Sequence, residues 1–425
     1  MTISEHIPLS PIRILERSGP SVKGLSNLDL EIHDSLSALN LPPRKLRQRK
    51  IAITVGSRGI ASLREVTRAV CGWLKERGAV PFVIPAMGSH GGATAEGQLE
   101  VLEGYGVTRD FIGAEICASM ETVSLGSTSE GFPVFMDRYA FDADAILVLN
   151  RVKPHTDFSG RIESGLLKMM TIGLGKAIGA REAHQRFRKY GFEPVIRSMS
   201  GKVLASGKIL CGLALIENEL HEIAEVHASL PDDIVAREEC ALKTARQLVS
   251  RIPFQKIDVL IVDEIGKNIS GAGMDTKVIG RGLDAKQMPP EAPQVRVIYA
   301  RDLTAVSEGN ATGVGLADLI HERLYRKIDH AKTTVNLRTS LNLPLSRTPI
   351  DSPSDRDALD FAFGCLGSPA PEEQRTVWIR NTLSLGRIGI SETLAREAED
   401  IPGWRLMPEA LTLKFDSAGN VQSPL

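Results

Sequence analysis

Ile51-Ala52-Ile53-Thr54-Val55, the segment from Ser62 through Trp73-Leu74 to Gly78, and Val80-Pro81-Phe82-Val83-Ile84-Pro85 together decide the fold class. Ile51–Val55 is an apolar run of strand length, and Val80–Pro85 is a second. Between them Val66, Ala69, Val70, Trp73 and Leu74 recur at helical spacing, which predicts an amphipathic helix. Ser62-Leu63-Arg64-Glu65 has the form of a capping box at its start, and Gly78 stands at its end. Strand, helix and strand in this order make a βαβ unit, with parallel strands and a right-handed crossover.

The same alternation continues outward. The glycine-rich turn Gly88–Gly92 leads into a helix starting near Thr94. Ala145–Leu149 reads as a third strand, Arg151–Gly160 as a polar loop, and Ile162–Ile172 and Ala180–Arg188 as helices. Ile209–Ile216 reads as a strand and Pro231–Val249 as an amphipathic helix. A second series has strands at Ile257–Val262 and Val295–Tyr299, and helices near Val314–Tyr325 and Ala358–Gly364. Residues 1 to about 50 read as a connector with a basic cluster, Arg44, Lys45, Arg47, Arg49 and Lys50.

The expected fold is therefore α/β, with mainly parallel sheets flanked by helices in two domains. The boundary is placed near Arg251-Ile252-Pro253, giving an N-terminal catalytic domain, 1–252, and a C-terminal α/β domain, 253–425, closing over the substrate. The active site is expected in the cleft between them. A chain of 425 residues is long enough for two cores.

Net charge is −1 and aromatics are 5%, so neither a phosphate-binding basic face nor a base-stacking surface is expected, and no nucleic acid is expected as a partner. The five cysteines are scattered and form no CxxC pair, which argues against a disulfide framework or a zinc ribbon. No long apolar segment predicts a membrane span and residues 1–20 show no signal pattern, so a cytoplasmic location is expected.

Ligands of open α/β sheets bind beyond the carboxyl ends of the strands. Arg58, His90 and His155 each follow one of the three N-terminal strands at that end. Around His90, the turn Gly88-Ser89-His90-Gly91-Gly92 lets backbone approach a ligand and opens into a helix N-terminus, a combination suited to a phosphate. A tight turn with a surface histidine is the plain alternative. His155 lies in a polar turn, where an imidazole can shuttle protons or simply face solvent. Lys168 is the only charge between Ser164 and Gly175. Such a lysine snorkels, pairs with an anion, or becomes a nucleophile or attachment point. His184 falls on the next predicted helix.

In order and approximate spacing, these five residues resemble the nickel-pincer lactate racemase family of hydroxyacid racemases and epimerases, mainly over residues 51–188. The resemblance implies a cofactor, the nickel-pincer nucleotide: pyridinium-3,5-bisthiocarboxylic acid mononucleotide holding nickel. It implies that Lys168 is the residue joined to the cofactor, that His184 ligates nickel, and that Ser89, Gly91 and Gly92 lie near the phosphate. Arg58 would bind the substrate carboxylate, which suits a bidentate fork. His90 and His155 would be the two acid–base groups. One removes the hydroxyl proton as hydride leaves the 2-carbon, and the other acts on the opposite face. Cofactor biosynthesis proteins are implied as partners.

Some positions depart from the family pattern. Val55 stands where an aspartate is usual and Gly91 where an arginine is usual, and the His155–Lys168 interval is longer by three residues. Lys267 and Arg281, in the glycine-rich segment Gly266–Arg281, are candidates for the missing substrate lysine. Trp378 and Arg380, and likewise Asn310, Thr312 and Asp318, could also reach the cleft. The departures direct the substrate expectation to a hydroxy acid other than lactate, such as a sugar acid. The competing readings are a zinc hydrolase or lyase using the three histidines, and a non-catalytic carrier of the nickel cofactor.

Overall fold

The computed structural model describes residues 6–425, apart from 58, 157, 283–287, 289–290, 341–344 and 346. The strands in chain order are β1 (Ile12–Arg17), β2 (Lys50–Val55), β3 (Val80–Pro85), β4 (Glu115–Ile116), β5 (Thr122–Ser127), β6 (Pro133–Asp137), β7 (Ala145–Arg151), β8 (Ile209–Glu217), β9 (Ile223–Ser229), β10 (Lys256–Val262), β11 (Gln294–Ala300), β12 (Leu319–His321), β13 (Ile350–Ser352), β14 (Thr376–Ile379), β15 (Arg387–Ser391) and β16 (Trp404–Leu411).

The chain forms two compact units. One comprises 21–155 and 159–249; the other comprises 1–20, 156–158 and 250–425. The expected split at 252/253 had placed all of 1–252 together. Instead, Ile12-Arg13-Ile14-Leu15 forms a strand paired on both sides, with β15 and β16, so the first residues fold with the last. The expected connector is thus partly a sheet strand and partly the helix Leu28–Ser37, which buries Ile32 and Leu36.

The first unit holds a six-stranded sheet in the order β4-β3-β2-β7-β8-β9. All its pairings are parallel except β8 with β9. Strand β2 is buried along Ile51–Val55, as a parallel strand covered on both faces should be. Helix Leu63–Glu76 turns Val66, Val70, Cys71, Trp73 and Leu74 onto one face of the sheet. Its expected capping box does not form. Ser62 has φ of 51° and makes no side-chain cap, whereas a capping residue needs extended backbone to reach the first free N–H groups. Thr94 does cap its helix, accepting from Gly97 N.

The second unit holds an eight-stranded sheet, β13-β12-β11-β10-β14-β15-β1-β16, parallel from β13 to β14 and antiparallel beyond. The helix expected over Val314–Tyr325 is replaced by a short 3-10 turn, strand β12 and the helix Glu322–Arg326. Leu319 and Ile320 pair with Tyr299 and Ala300, so a short apolar run that fits a helical stripe is taken up by the sheet. No helix among the described residues is long and apolar enough to cross a membrane.

Candidate active site

The N-terminal sheet places the loops after β2, β3 and β7 at one edge, the carboxyl ends of three neighbouring parallel strands. Each loop is tied down by buried polar groups. After β2, Ala61 N donates to Glu217 Oε1 at 2.8 Å, and Tyr105 Oη donates to Ser57 O at 2.7 Å. Burial pushes the Glu217 carboxyl up, but hydrogen bonding from His221, the Arg151 charge and the Ala61 N–H outweigh it and hold its pKa at about 2. Arg58 itself lies outside the described residues.

After β3, Gly88, Gly91, Gly92 and Ala93 all have φ between 57° and 65°. Gly91 is required: a Cβ there would lie 2.5 Å from the carbonyl carbon of Gly97. Ser89 and His90 are exposed at the tip, and the imidazole Nδ1 of His90 is hydrogen-bonded to Ser57 Oγ, linking this loop to the one after β2. After β7, His155 N donates to the fully buried carboxylate of Glu163 at 2.5 Å, and Arg246 pairs with the same carboxylate.

Above these ends lies a broken helix. Leu166–Lys168 is α-helical, Met169–Gly173 is a π-helix, and Lys176–Tyr190 is α-helical again. The expected helix over Ile162–Ile172 therefore starts later and changes type midway. Gly56 approaches the Met169 side chain, and Gly88 approaches Ile172 and Ala180. Asn150, in β7, donates to Gly165 O at 2.8 Å. The π-helix is thus seated on the ends of β2, β3 and β7. Such insertions concentrate at functional sites.

Three of the candidate residues meet around two phenylalanines. His155 lies 5.7 Å from Phe192 between ring centres, and Lys168 Nζ lies 5.8 Å from the same ring. Phe187 packs on Phe192 at 4.5 Å and on His184 at 5.4 Å. His184 is solvent-accessible but crowded. That crowding and then the Lys168 charge lower its pKa below the ordinary histidine value, which favours the neutral imidazole.

Glu238 sits at the start of the short helix bearing Lys168 and accepts from Leu167 N at 2.8 Å. It is fully buried, its Oε1 has no hydrogen-bond partner among the described residues, and burial pushes its pKa up to about 7. A carboxyl whose pKa is raised on folding contributes stability below its unfolded value, and this is lost as pH rises through the folded value. Across that interval the loss should be about 3 kcal/mol. Urea unfolding at pH 4.5 and pH 8 should therefore show Glu238→Gln close to wild type at the lower pH and more stable at the higher. Equal pH slopes in the two proteins would remove this account.

The candidates of the second unit are differently placed. Arg281 is engaged with the scaffold: it pairs with Asp318 at 2.6 Å and donates to Leu316 O at 3.1 Å and Val295 O at 3.4 Å. Lys267 Nζ donates to Gly271 O at 2.8 Å, within its own loop. Trp378 is fully buried and donates to Asp263 at 2.8 Å. Arg380 is exposed beside Glu264, and Asn310 accepts from Thr312 within one turn.

Among the described residues no three His, Cys, Asp or Glu side chains are grouped to hold a metal. The sequence reading also missed Phe187, Phe192, Glu163, Glu217 and Glu238. Apolar or acidic residues on helices and strands carry no local mark of what they will support.

Residues 46–190 match the lactate racemase N-terminal domain family. A search of curated proteins found no match. Among solved structures, the lactate racemase apoprotein from Thermoanaerobacterium thermosaccharolyticum is similar at 12% identity and a TM-score of 0.54, covering 86% of this chain and 93% of that one. A structural-genomics protein from Thermotoga maritima is 17% identical with a TM-score of 0.48, covering 64% and 70%. Residues 46–190 are thus similar to the lactate racemase N-terminal domain family, and the chain shares its fold with the lactate racemase apoprotein.

Proposed function

We propose that this protein is a nickel-pincer-dependent racemase or epimerase of a 2-hydroxy acid other than lactate, with sugar acids the first class to screen. The observation that carries the reading is the gathering of His155, Lys168 and His184 around Phe187 and Phe192.

The residues fit the cofactor. His184 offers an accessible imidazole favoured in its neutral form, the form that ligates nickel. Lys168 is half-buried beside it and would hold the cofactor. The left-handed turn with Ser89, Gly91 and Gly92 would lie near the phosphate. When bound, the cofactor supplies a centre that accepts hydride from the 2-carbon and returns it. His90 and His155 would move the hydroxyl proton, each serving one face of the substrate. They follow β3 and β7, which flank β2, so the strand ends that carry them are about 10 Å apart. Arg58 is assigned to the carboxylate from its place after β2, and Lys267 remains a candidate for a second polar contact. Arg281 is withdrawn because its guanidinium is engaged with Asp318 and backbone carbonyls.

The test is metal analysis and intact mass on protein made in a host that also makes the cofactor. Wild type should retain nickel with a cofactor-sized adduct. Lys168→Ala should lose the adduct, and His184→Ala should lose nickel on gel filtration. Hydroxy acids are then screened for epimerisation in D2O. Retention of protium at the 2-carbon is expected, because the same hydride returns. Solvent deuterium there would overturn hydride transfer, and loaded protein without epimerisation of any acid would favour the carrier.

A further inference from the structure

Lys176 is a fully buried lysine at the first position of the helix bearing His184, just after the π-helix, with φ of 54°. Its Nζ donates to Pro85 O at 2.5 Å and to Gln98 Oε1 at 3.0 Å, and lies 3.0 Å from Asp137 Oδ2. Asp137 is equally buried, and its other oxygen caps a helix at Ala140 N. Gln98 is also fully buried, and its amide donates to Gly88 O at 3.0 Å and His90 O at 3.2 Å. One continuous set of contacts therefore runs from the start of the helix bearing His184 to the backbone of His90.

A buried ion pair is a poor way to add stability. Desolvating both charges offsets their attraction, and an apolar pair of similar volume often does as well or better. A left-handed lysine adds strain. The loop served by this arrangement has the opposite weakness: three of its glycines and Ala93 have positive φ, so local preference alone does not select one conformation.

We infer that Lys176, Asp137 and Gln98 are positioning residues that fix the His90 loop against the broken helix whose two α-helical segments carry Lys168 and His184. The inference rests on the proposed reaction for its functional meaning, but its geometry is testable in apoprotein. Two variants separate positioning from stability. Gln98→Met removes the amide's bonds and keeps the packing. Lys176→Met combined with Asp137→Asn removes both charges and keeps the Ala140 cap.

In apoprotein, amide exchange over Gly88–Ala93 should quicken by on the order of tenfold in each variant. Carbethoxylation of His90 should change in rate, with that of His227 unchanged. Melting temperature should stay near wild type in the double variant. In loaded enzyme, kcat should fall while KM and nickel content hold. A double variant with wild-type exchange and wild-type His90 reactivity would overturn the inference, as would a melting temperature that falls without loosening of the loop. If the chain proves not to be a racemase, the apoprotein measurements still decide whether these residues hold the loop.

Discussion

His155→Ala is expected to lower kcat for epimerisation in both directions by about a hundred- to ten-thousandfold, and His90→Ala by the same order. In the proposed reaction both directions would suffer, because each passage across the 2-carbon would use one imidazole to take the hydroxyl proton and the other to return it. The losses should appear in kcat more than in KM, since proton transfer is felt in the transition state. Nickel content must be compared alongside, because His155 packs on Phe192, the ring that Lys168 also faces. A His155→Ala enzyme with full nickel content and near-normal kcat would remove His155 from the acid–base pair.

Arg301→Met should destabilise the second unit by about 3–5 kcal/mol at pH 7. Arg301 is 6% exposed. It donates to both oxygens of Asp355 at 2.8 and 2.7 Å, to Asp263 at 2.6 Å and to Val421 O, and lies over the Trp378 ring. Without it, the buried Asp355 carboxylate loses its main counter-charge. Burial raises the Asp355 pKa, but hydrogen bonds and charge from Arg301, with the Val421 N–H and the Tyr299 hydroxyl, hold it at about 2. In wild type that stability is present above the unfolded value of 3.8 and lost as pH falls through about 2. In the variant the carboxyl can protonate at mildly acid pH, so the deficit should shrink between pH 7 and pH 5. Urea unfolding at both values checks this, and a pH-independent deficit would assign the loss to packing against Trp378.

The frame of the first unit was legible in the sequence because its strands are buried on both faces. Ile51–Val55 and Val80–Pro85 are continuous apolar runs bounded by turns, and they reappear with nearly the same ends. Strand β1 was not legible: Ile12–Arg17 is short, and the strands it pairs with begin at Arg387 and Trp404. Leu319–His321 misled because three residues cannot express a period, and distant pairing decided their state.

At the site, single polar residues in glycine-rich or apolar settings stood out. Lys176 did not, although it is more buried than Lys168, because Lys-Ala-Ile-Gly-Ala reads as an ordinary helix start. Gln98 and Asp137 look like surface residues until the fold encloses them.

Strand β1 also sets a schedule for synthesis. It is made before any other described strand, yet both of its neighbours are among the last. At ordinary ribosomal speed it waits roughly half a minute for them. Meanwhile nearly all of the first unit has emerged and can fold. The nascent chain thus carries the unpaired strand Ile12–Arg17 upstream of a folding body until Arg387–Leu411 has been made.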